Sequence, residues 1–410
     1  MKKNFLILSI LSFCILTFIL IGVKISPYHY NLSALLGIWQ GFVDLNPGYI
    51  PKDFIVFQNG GYDGQFFFIL ARYIYEDNLN FPVLDSFYFR FHRIGLSLLV
   101  GFLCKFLGFE FYPLLCLAIL LGLHIFSFSL LCKLLPEEKY AFSLIYLFNP
   151  YSLAGILLLV ADPLLLSLGT IAIFFIYRAQ NSKRQSKSWI GLSVIFFSFS
   201  LLVRETSFFI ILPLILYFAI KKEFFKILPL AIPLVFYTAF LIYTQLFPVP
   251  HKGTLPLRFI DMVDYPLFGF FSSLKFVPED AGFLKLVKTG LKLFLFGLYL
   301  QLGCNLLNVS FQLYRTIRNH SFSLKNVYPL LLLSPAFLTF LVITIAEQGY
   351  WNHFDNIVRM FTLSLPPVLI AKAWFPGYKD YGFLYSSIAL TFFISIRVIW
   401  ITKPMSYVLN

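Results

Sequence analysis

The stretch from Gly60 to Arg93, GGYDGQFFFILARYIYEDNLNFPVLDSFYFRFHR, separates the first apolar segment of the chain from all the later ones. Asp63 is flanked by three glycines, so the backbone there can turn freely and bring a carboxylate close to a ligand. The stretch ends with Arg90 and Arg93, three residues apart, where the chain turns apolar again. This concentration of chemically active residues predicts a loop that carries a functional site.

A short helix is expected directly after Asp63. One of its faces is apolar and carries Phe66, Ile69, Leu70, Tyr73 and Ile74 at helical spacing. The opposite face is polar and carries Gln65, Arg72 and Glu76. The pattern predicts an amphipathic helix that lies on the membrane surface with an acid at its start.

The composition is that of a membrane protein. The chain has 410 residues, of which 59% are hydrophobic and 12% charged, with a mean hydropathy of +0.81. Soluble domains carry about 25% charged residues. The sequence therefore predicts an all-α, polytopic integral membrane protein. Its net charge of +13 does not indicate nucleic-acid binding, because the basic residues cluster in short loops between apolar segments.

Motifs for metals and cofactors are missing from the sequence. The five cysteines show no paired spacing, so neither a disulfide framework nor a zinc site is expected. There is no GxGxxG, P-loop, HExxH or Asp-x-Asp motif. We therefore expect no cofactor, no metal and no nucleotide-linked substrate. Lys2 and Lys3 precede an apolar run from Phe5 to Val23 that is expected to be an uncleaved first span.

Charge also predicts the topology. Three loops carry most of the positive charge: Arg178 to Lys187, Lys221 to Lys226, and Arg315 to Lys325. The positive-inside rule places these loops in the cytoplasm. Counting spans from them places three loops and the C-terminus outside; the loops are residues 24–93, 248–282 and 347–356. The result is one transmembrane domain, residues 1–410, with about eleven spans.

Two segments need separate treatment in this topology. Ile94 to Leu107 is the shortest of three apolar candidates between Arg93 and Asp162. Because both of these residues are predicted to lie outside, an even number of spans must separate them, and one of the three candidates does not cross. We expect that one to be Ile94 to Leu107. Trp189 to Ile220 starts and ends at cytoplasmic loops, so it must be a hairpin with Arg204 at its tip. Each arm has roughly 15 residues, or about 22 Å, against a hydrocarbon core of about 30 Å, so the tip lies in a cavity below the surface.

Several charged residues collect at the external face in this topology: Asp63, Arg90, Arg93, Asp162, Arg204, Glu205 and Arg359. Charges at the edge of hydrocarbon cost free energy unless they are paired or solvated, so their common level indicates a shared aqueous cavity. Arginine binds phosphate well because its planar fork donates two hydrogen bonds at once. The cavity thus suits an anionic, lipid-linked ligand.

Each of these residues also has a purely structural interpretation. Asp63 would then only begin a helix, and Asp162, which precedes a proline, would cap one. Arg204 and Glu205 would form a structural ion pair at a turn. The remaining arginines would be anchors at the membrane surface: Arg90, Arg93 and Arg359.

Short motifs connect the chain to a known family. They are Gly61-Tyr62-Asp63-Gly64-Gln65-Phe66, Tyr88 to Ile94 (YFRFHRI), Phe148-Asn149-Pro150, Ala161-Asp162-Pro163-Leu164 and Leu202 to Thr206 (LVRET). In these motifs, which follow one another in order between Gly61 and Thr206, the sequence resembles the GT-C superfamily of integral-membrane glycosyltransferases. The likeness is greatest to PIG-V-like mannosyltransferases and to bacterial membrane proteins with a YDGQFY-type first loop.

The resemblance implies an inverting glycosyltransferase that uses a polyprenyl-phosphate sugar donor at the external face, with Asp63 as the catalytic base. We expect donor phosphate contacts from Arg90, Arg93, Arg204 and Arg359, and further substrate contacts from Tyr62, Gln65, Asp162 and Glu205. Where relatives have Thr-Glu or Ser-Glu, this chain has Ala161-Asp162, which keeps the acid and loses the hydroxyl. The acceptor is a glycan, a lipid or a protein, and the expected location is a bacterial cytoplasmic membrane.

Two other functions remain open at this point. An arginine-lined cavity also suits a transporter or flippase for a lipid-linked sugar or another anionic lipid. A non-catalytic scaffold of a complex for cell-envelope synthesis is the third possibility. The external position of the charges and the absence of a convincing internal repeat favour the enzyme over the transporter.

Overall fold

The computed structural model describes residues 2–181, 186–246, 263–275, 283–319, 327–352 and 405–410, together with residue pairs 366–367, 369–370, 388–389, 391–392 and 395–396. These residues are mostly helical, which confirms the all-α class. The helices are α1 (Lys2–Ile25), α2 (Gln40–Leu45), α3 (Gly64–Tyr75), α4 (Phe87–Phe91), α5 (Gly95–Leu107), α6 (Tyr112–Leu134), α7 (Tyr140–Leu147), α8 (Pro150–Leu157), α9 (Asp162–Asn181), α10 (Ser186–Val203), α11 (Phe208–Ile220), α12 (Phe224–Gln245), α13 (Phe268–Lys275), α14 (Phe283–Asn319), α15 (Val327–Thr344) and α16 (Gln348–Asn352).

Long apolar helices give the chain its multi-pass membrane character. Within the described residues, six helical segments are long and apolar enough to cross a membrane: Asn4–Tyr28, Phe109–Leu134, Tyr140–Leu157, Asp162–Asn181, Ser186–Val203 and Phe224–Gln245. The other predicted spans fall on shorter helices, on the more polar α14, or outside the described residues. The structure therefore confirms a helical, multi-pass protein and leaves the number eleven as a prediction.

Helix α5 is not one of the six segments that could cross a membrane. The sequence predicted this for Ile94 to Leu107. Its 13 residues extend about 20 Å, which is less than the hydrocarbon core of about 30 Å. It packs against α3, which comes from the first loop. The Ser97 hydroxyl on α5 donates a hydrogen bond to the carbonyl oxygen of Phe67 on α3, at 2.8 Å.

Helix α3 does not lie on a surface, so that prediction is wrong. All of residues 64–71 are buried, including Gln65 on the polar face. The polar side chains bind the backbone of the first loop, which covers the helix. Gln65 Oε1 accepts a hydrogen bond from the Trp39 N–H at 3.0 Å, and Arg72 Nη1 donates one to the Gly48 carbonyl at 3.0 Å. Periodicity identified the two faces, but both are covered by protein.

A small sheet, which the sequence did not predict, joins the first loop to the C-terminus. It contains β1 (Ile38–Trp39), β2 (Ile55–Phe57) and β3 (Tyr407–Leu409). Strands β1 and β2 are parallel, whereas β2 and β3 are antiparallel with Val56 opposite Val408. The sheet places the C-terminus on the same side as the first loop, in agreement with the span count.

The two other loops predicted to be external contact each other. Helix α13 of loop 248–282 packs on α16 of loop 347–356, with the rings of Phe270 and Trp351 5.1 Å apart. Helix α14 continues to Asn319, so the first part of the predicted basic loop, including Arg315, is helical. A basic residue is compatible with the last turns of a helix, because it interacts favourably with the C-terminal dipole.

Helix α5 begins directly against the end of α10. A Cβ atom on Gly95 would lie 2.9 Å from the Val203 backbone nitrogen and 2.7 Å from Val203 Cγ2. We expect Gly95→Ala to force the two helix ends apart and to cost about 1–3 kcal/mol. A lower melting temperature of the purified protein in detergent would show this.

Gly191 on α10 provides the matched control, because no atom beyond its own stretch of helix lies within 4 Å of an added Cβ. We expect Gly191→Ala to leave the melting temperature unchanged or to raise it, since alanine is preferred over glycine in a helix by about 1 kcal/mol. Equal melting temperatures for the two variants would contradict the proposed close contact.

Candidate functional site

Charged residues from four separate segments line one cavity at the N-terminal ends of α3, α5 and α9. It is narrow in this conformation, with a volume of about 20 Å³. The lining residues are Asp63, Phe67, Arg90, Arg93, Ala161, Asp162, Leu165, Val203 and Arg204. Five of these are residues that the sequence placed at a common external level. The structure therefore brings together the residues for which a shared cavity was expected.

Glycines bring Asp63 to this cavity. Gly37 has a φ of +63°, and Tyr62 N donates a hydrogen bond to its carbonyl oxygen at 2.8 Å. A Cβ atom on Gly64 would lie 2.8 Å from the carbonyl oxygens of both Leu36 and Leu158. Only glycine therefore allows the start of α3 to approach the segment between α8 and α9 so closely.

The Asp63 carboxylate does not cap its own helix. It occupies the N-cap position of α3 but makes no capping hydrogen bond. Instead, Asp63 Oδ1 lies 3.2 Å from Arg90 Nη2. Capping alone thus does not account for this acid.

Arg90 is held by a second carboxylate. Its Nε and Nη2 atoms donate to Asp85 Oδ1 and Oδ2 at 2.9 and 2.6 Å, and its guanidinium carbon lies 4.2 Å from the centre of the Phe66 ring. Burial lowers the pKa of Arg90, but the hydrogen bond to Asp85 and the charge of Asp63 outweigh it and raise the pKa. Sequence reasoning missed Asp85, because it precedes Arg90 by five residues, outside helical spacing.

Arg93 pairs with Glu205 at the junction of α10 and α11. Arg93 Nε donates to Glu205 Oε2 at 3.0 Å, and Nη2 bonds the other carboxylate oxygen. The Arg93 guanidinium carbon lies 3.9 Å from the Phe89 ring centre. The predicted break between two helical arms is confirmed at Arg204, which is extended with φ −165° and ψ 137°.

Arg204 forms its ion pair with Asp162 and not with its neighbour Glu205, so the structural alternative of an Arg204–Glu205 pair is not found. Arg204 Nη1 donates to Asp162 Oδ1 at 2.7 Å, and the Asp162 side chain is only 5% exposed. In an extended backbone successive side chains point to opposite sides, which directs these two neighbours to different partners. The buried Arg204 Nε makes no hydrogen bond within the described residues.

The remaining predicted site residues do not line this cavity. Gln65 is buried and bonded to Trp39, as described above. Tyr62 is 42% exposed, and its ring centre lies 5.5 Å from Lys24 Nζ. Arg359 lies outside the described residues. Glu205 does not line the cavity, but it binds Arg93, which does.

Polar residues that the sequence did not single out support the cluster. Lys24 Nζ donates to the Leu157 carbonyl oxygen at 2.9 Å and so connects α1 to the end of α8. His92 Nε2 lies 3.0 Å from Thr244 Oγ1 on α12. Burial lowers the pKa of His92 and favours its neutral form, with a smaller opposing effect from Glu205. Their distant partners could not be inferred from local sequence.

The fold and the site define a class: a helical multi-pass membrane protein with arginines and carboxylates paired around one cavity. Within the described residues, no group of three or more His, Cys, Asp or Glu side chains is arranged to hold a metal ion. Comparisons of the chain with models of known protein families, with curated proteins and with solved structures find no match.

The buried pair at this site should matter for stability. We expect Asp162→Ala to destabilise the protein by about 3 kcal/mol or more, because it leaves the Arg204 guanidinium buried without its carboxylate. Thermal unfolding of the purified protein in detergent measures this effect.

The Lys226–Glu223 pair is the control, since its members are three residues apart and more exposed. We expect Glu223→Ala to change stability by no more than about 1 kcal/mol. A loss for Asp162→Ala no greater than that for Glu223→Ala would show that the cavity solvates Arg204 without Asp162.

Proposed function

We propose that this protein is an inverting glycosyltransferase that moves a sugar from a polyprenyl-phosphate donor to an acceptor at the non-cytoplasmic face of the membrane. One observation carries the proposal: Asp63 shares a cavity with three arginines that come from distant parts of the chain. A carboxylate beside several phosphate-binding side chains supplies the two groups that this reaction needs. The resemblance to GT-C enzymes supports the same assignment.

In the proposed reaction, Asp63 accepts the proton of the acceptor hydroxyl. The acceptor oxygen attacks the anomeric carbon from the side opposite the phosphate and forms the new glycosidic bond. The bond between the anomeric carbon and the phosphate oxygen breaks, and its electron pair stays on the leaving lipid phosphate. The configuration at the anomeric carbon is therefore inverted.

Arginines stabilise the charge that develops on the leaving phosphate. Arg204 is the best placed, because its Nη1 remains on Asp162 while its Nε has no acceptor among the described residues. Arg90 and Arg93 each bind a carboxylate through two nitrogens. A phosphate therefore binds them by replacing some of these hydrogen bonds to carboxylates. Arg359 completes the set in the sequence-based proposal.

The finer assignments belong to this proposal as well. They comprise about eleven spans, a GT-C architecture, a cavity that opens outward, and a bacterial cytoplasmic membrane. The prenyl chain would lie against apolar side chains next to the cavity, among which Phe67 and Leu165 line its wall. Substrate contacts from Tyr62 and Gln65 would require movement, since neither lines the cavity in this conformation.

The base is tested by Asp63→Asn, which keeps the size of the side chain and removes its basicity. We expect sugar transfer by the purified protein to fall about 10²- to 10⁴-fold. The melting temperature should change little, because Asp85 still binds Arg90. Transfer is measured with a radiolabelled polyprenyl-phosphate sugar and an envelope extract as acceptor.

Asp53→Asn is the matched control, because Asp53 is an exposed acid of the same loop that does not line the cavity. It should transfer sugar like the unmodified protein. Full activity of Asp63→Asn would reject Asp63 as the base.

A transporter or flippase is the second candidate, and one observation favours it. Helices α7 and α8 form a single apolar segment that is interrupted at Phe148 and Asn149, and interrupted helices are common in transporters. However, the Asn149 side chain accepts hydrogen bonds from the N–H groups of Tyr151 and Ser152 and thereby occupies the start of α8. This break therefore has a structural explanation.

Three measurements separate the three functions. Sugar transfer in detergent, where no second compartment exists, supports the enzyme. Movement of a labelled lipid-linked sugar across proteoliposomes without transfer supports the flippase. Retained cellular function after combining Asp63→Asn with Arg204→Gln would favour a scaffold.

A further inference from the structure

A second cavity lies at the opposite ends of the helices that form the first. Its volume is about 620 Å³, and its lining includes Lys52, Arg72, Glu76, Lys105, Phe109 and Glu110. Asp63 and Arg93 precede the N-terminal ends of α3 and α5, whereas this cavity lies at the C-terminal ends of both helices. The 12 residues of α3 separate the cavities by about 18 Å.

Two lysines give this cavity an excess of positive charge. Arg72 is already bonded to Glu76 at 2.9 Å and to the Gly48 carbonyl at 3.0 Å, so it forms part of the wall. Lys52 and Lys105 are both exposed, and neither forms an ion pair within the described residues. With Glu110 as the remaining acid of the lining, two ammonium groups stand against one carboxylate.

The position of the cavity relative to the membrane follows from α6. The membrane-crossing segment that contains α6 begins at Phe109, which itself lines the cavity. The cavity therefore lies where this segment enters the membrane, at the level of lipid headgroups. Large exposed apolar side chains surround the same place: Phe102, Phe106, Leu107, Phe111 and Leu114. Aromatic residues are typical of that level in membrane proteins.

We infer that this cavity binds the phosphate headgroup of an anionic phospholipid, with Lys52 and Lys105 as its cationic contacts. The acyl chains would lie along the exposed apolar side chains of α5 and the start of α6. Lysine suits this role because its ammonium group is a compact, well-hydrated charge in a wet environment. The inference does not depend on the proposed sugar transfer.

Purified protein in neutral detergent tests the inference by thermal unfolding, with phosphatidylglycerol, phosphatidylcholine or inorganic phosphate added. We expect phosphatidylglycerol to raise the melting temperature more than phosphatidylcholine does, and inorganic phosphate to have little effect. Native mass spectrometry of the same samples counts retained phosphatidylglycerol. If inorganic phosphate alone reproduces the stabilisation, the site binds free anions and the lipid assignment is wrong.

The lysines are tested together as Lys52→Gln/Lys105→Gln. A basic residue near an anionic headgroup contributes about fivefold in affinity, so the double variant should bind phosphatidylglycerol about 30-fold more weakly. Lys52→Arg/Lys105→Arg should keep the binding. Because both lysines are exposed, the double variant in phosphatidylcholine should melt at the temperature of the unmodified protein.

Lys133→Gln/Lys221→Gln is the matched control, since Lys133 lies in the last turn of α6, Lys221 directly follows α11, and neither lines the cavity. It removes the same net charge and should keep the preference for phosphatidylglycerol. Equal losses in the two double variants would mean that net charge attracts the lipid, and would overturn the assigned site.

Discussion

Pairing of partly buried charge is the constraint on which this structure depends. In a chain with 59% hydrophobic residues, a guanidinium group at the edge of hydrocarbon needs a carboxylate beside it. Arg90 joins Asp63 to Asp85, Arg93 joins the first loop to the junction of α10 and α11, and Arg204 joins that junction to the start of α9. The pairs thereby fix the ends of helices that are far apart in sequence.

Close backbone contacts allow those pairs to form. Gly64 lets the start of α3 meet the segment before α9, and Gly95 lets the start of α5 meet the end of α10. Both glycines lie within two residues of a charged side chain of the cavity. A side chain at either position would separate the helix ends and lengthen the contacts of the neighbouring charges, so packing and electrostatics support each other here.

The sequence predicts the convergence of the charges but not their partners. Hydropathy and the positive-inside rule place Asp63, Asp162 and Arg204 at one level, because both depend only on local composition. Partner choice depends on backbone geometry, which turns Arg204 away from Glu205. The burial of α3 could not be predicted either. Periodicity shows which face of a helix is apolar and which is polar, but not whether lipid or protein covers them. Strand β3 has three residues, and its partner lies about 350 positions earlier, beyond any local signal.

The balance of charge would restrict how the anionic donor of the proposed glycosyl transfer enters. Three guanidinium groups face four carboxylates in the cluster, so a phosphate is not attracted by net charge. At Arg90 and Arg93 it must exchange with an existing carboxylate partner. A substrate that only replaces one carboxylate gains little. The exchange becomes more favourable as negative charge develops on a leaving phosphate oxygen, because hydrogen bonds to an ionic acceptor strengthen with its charge. In the proposed glycosyl transfer, pre-formed pairs would therefore hold the arginines in place and give most of their stabilisation to the transition state, which is the condition for catalysis. A transporter gains nothing from such a difference, since it must release the same phosphate that it binds.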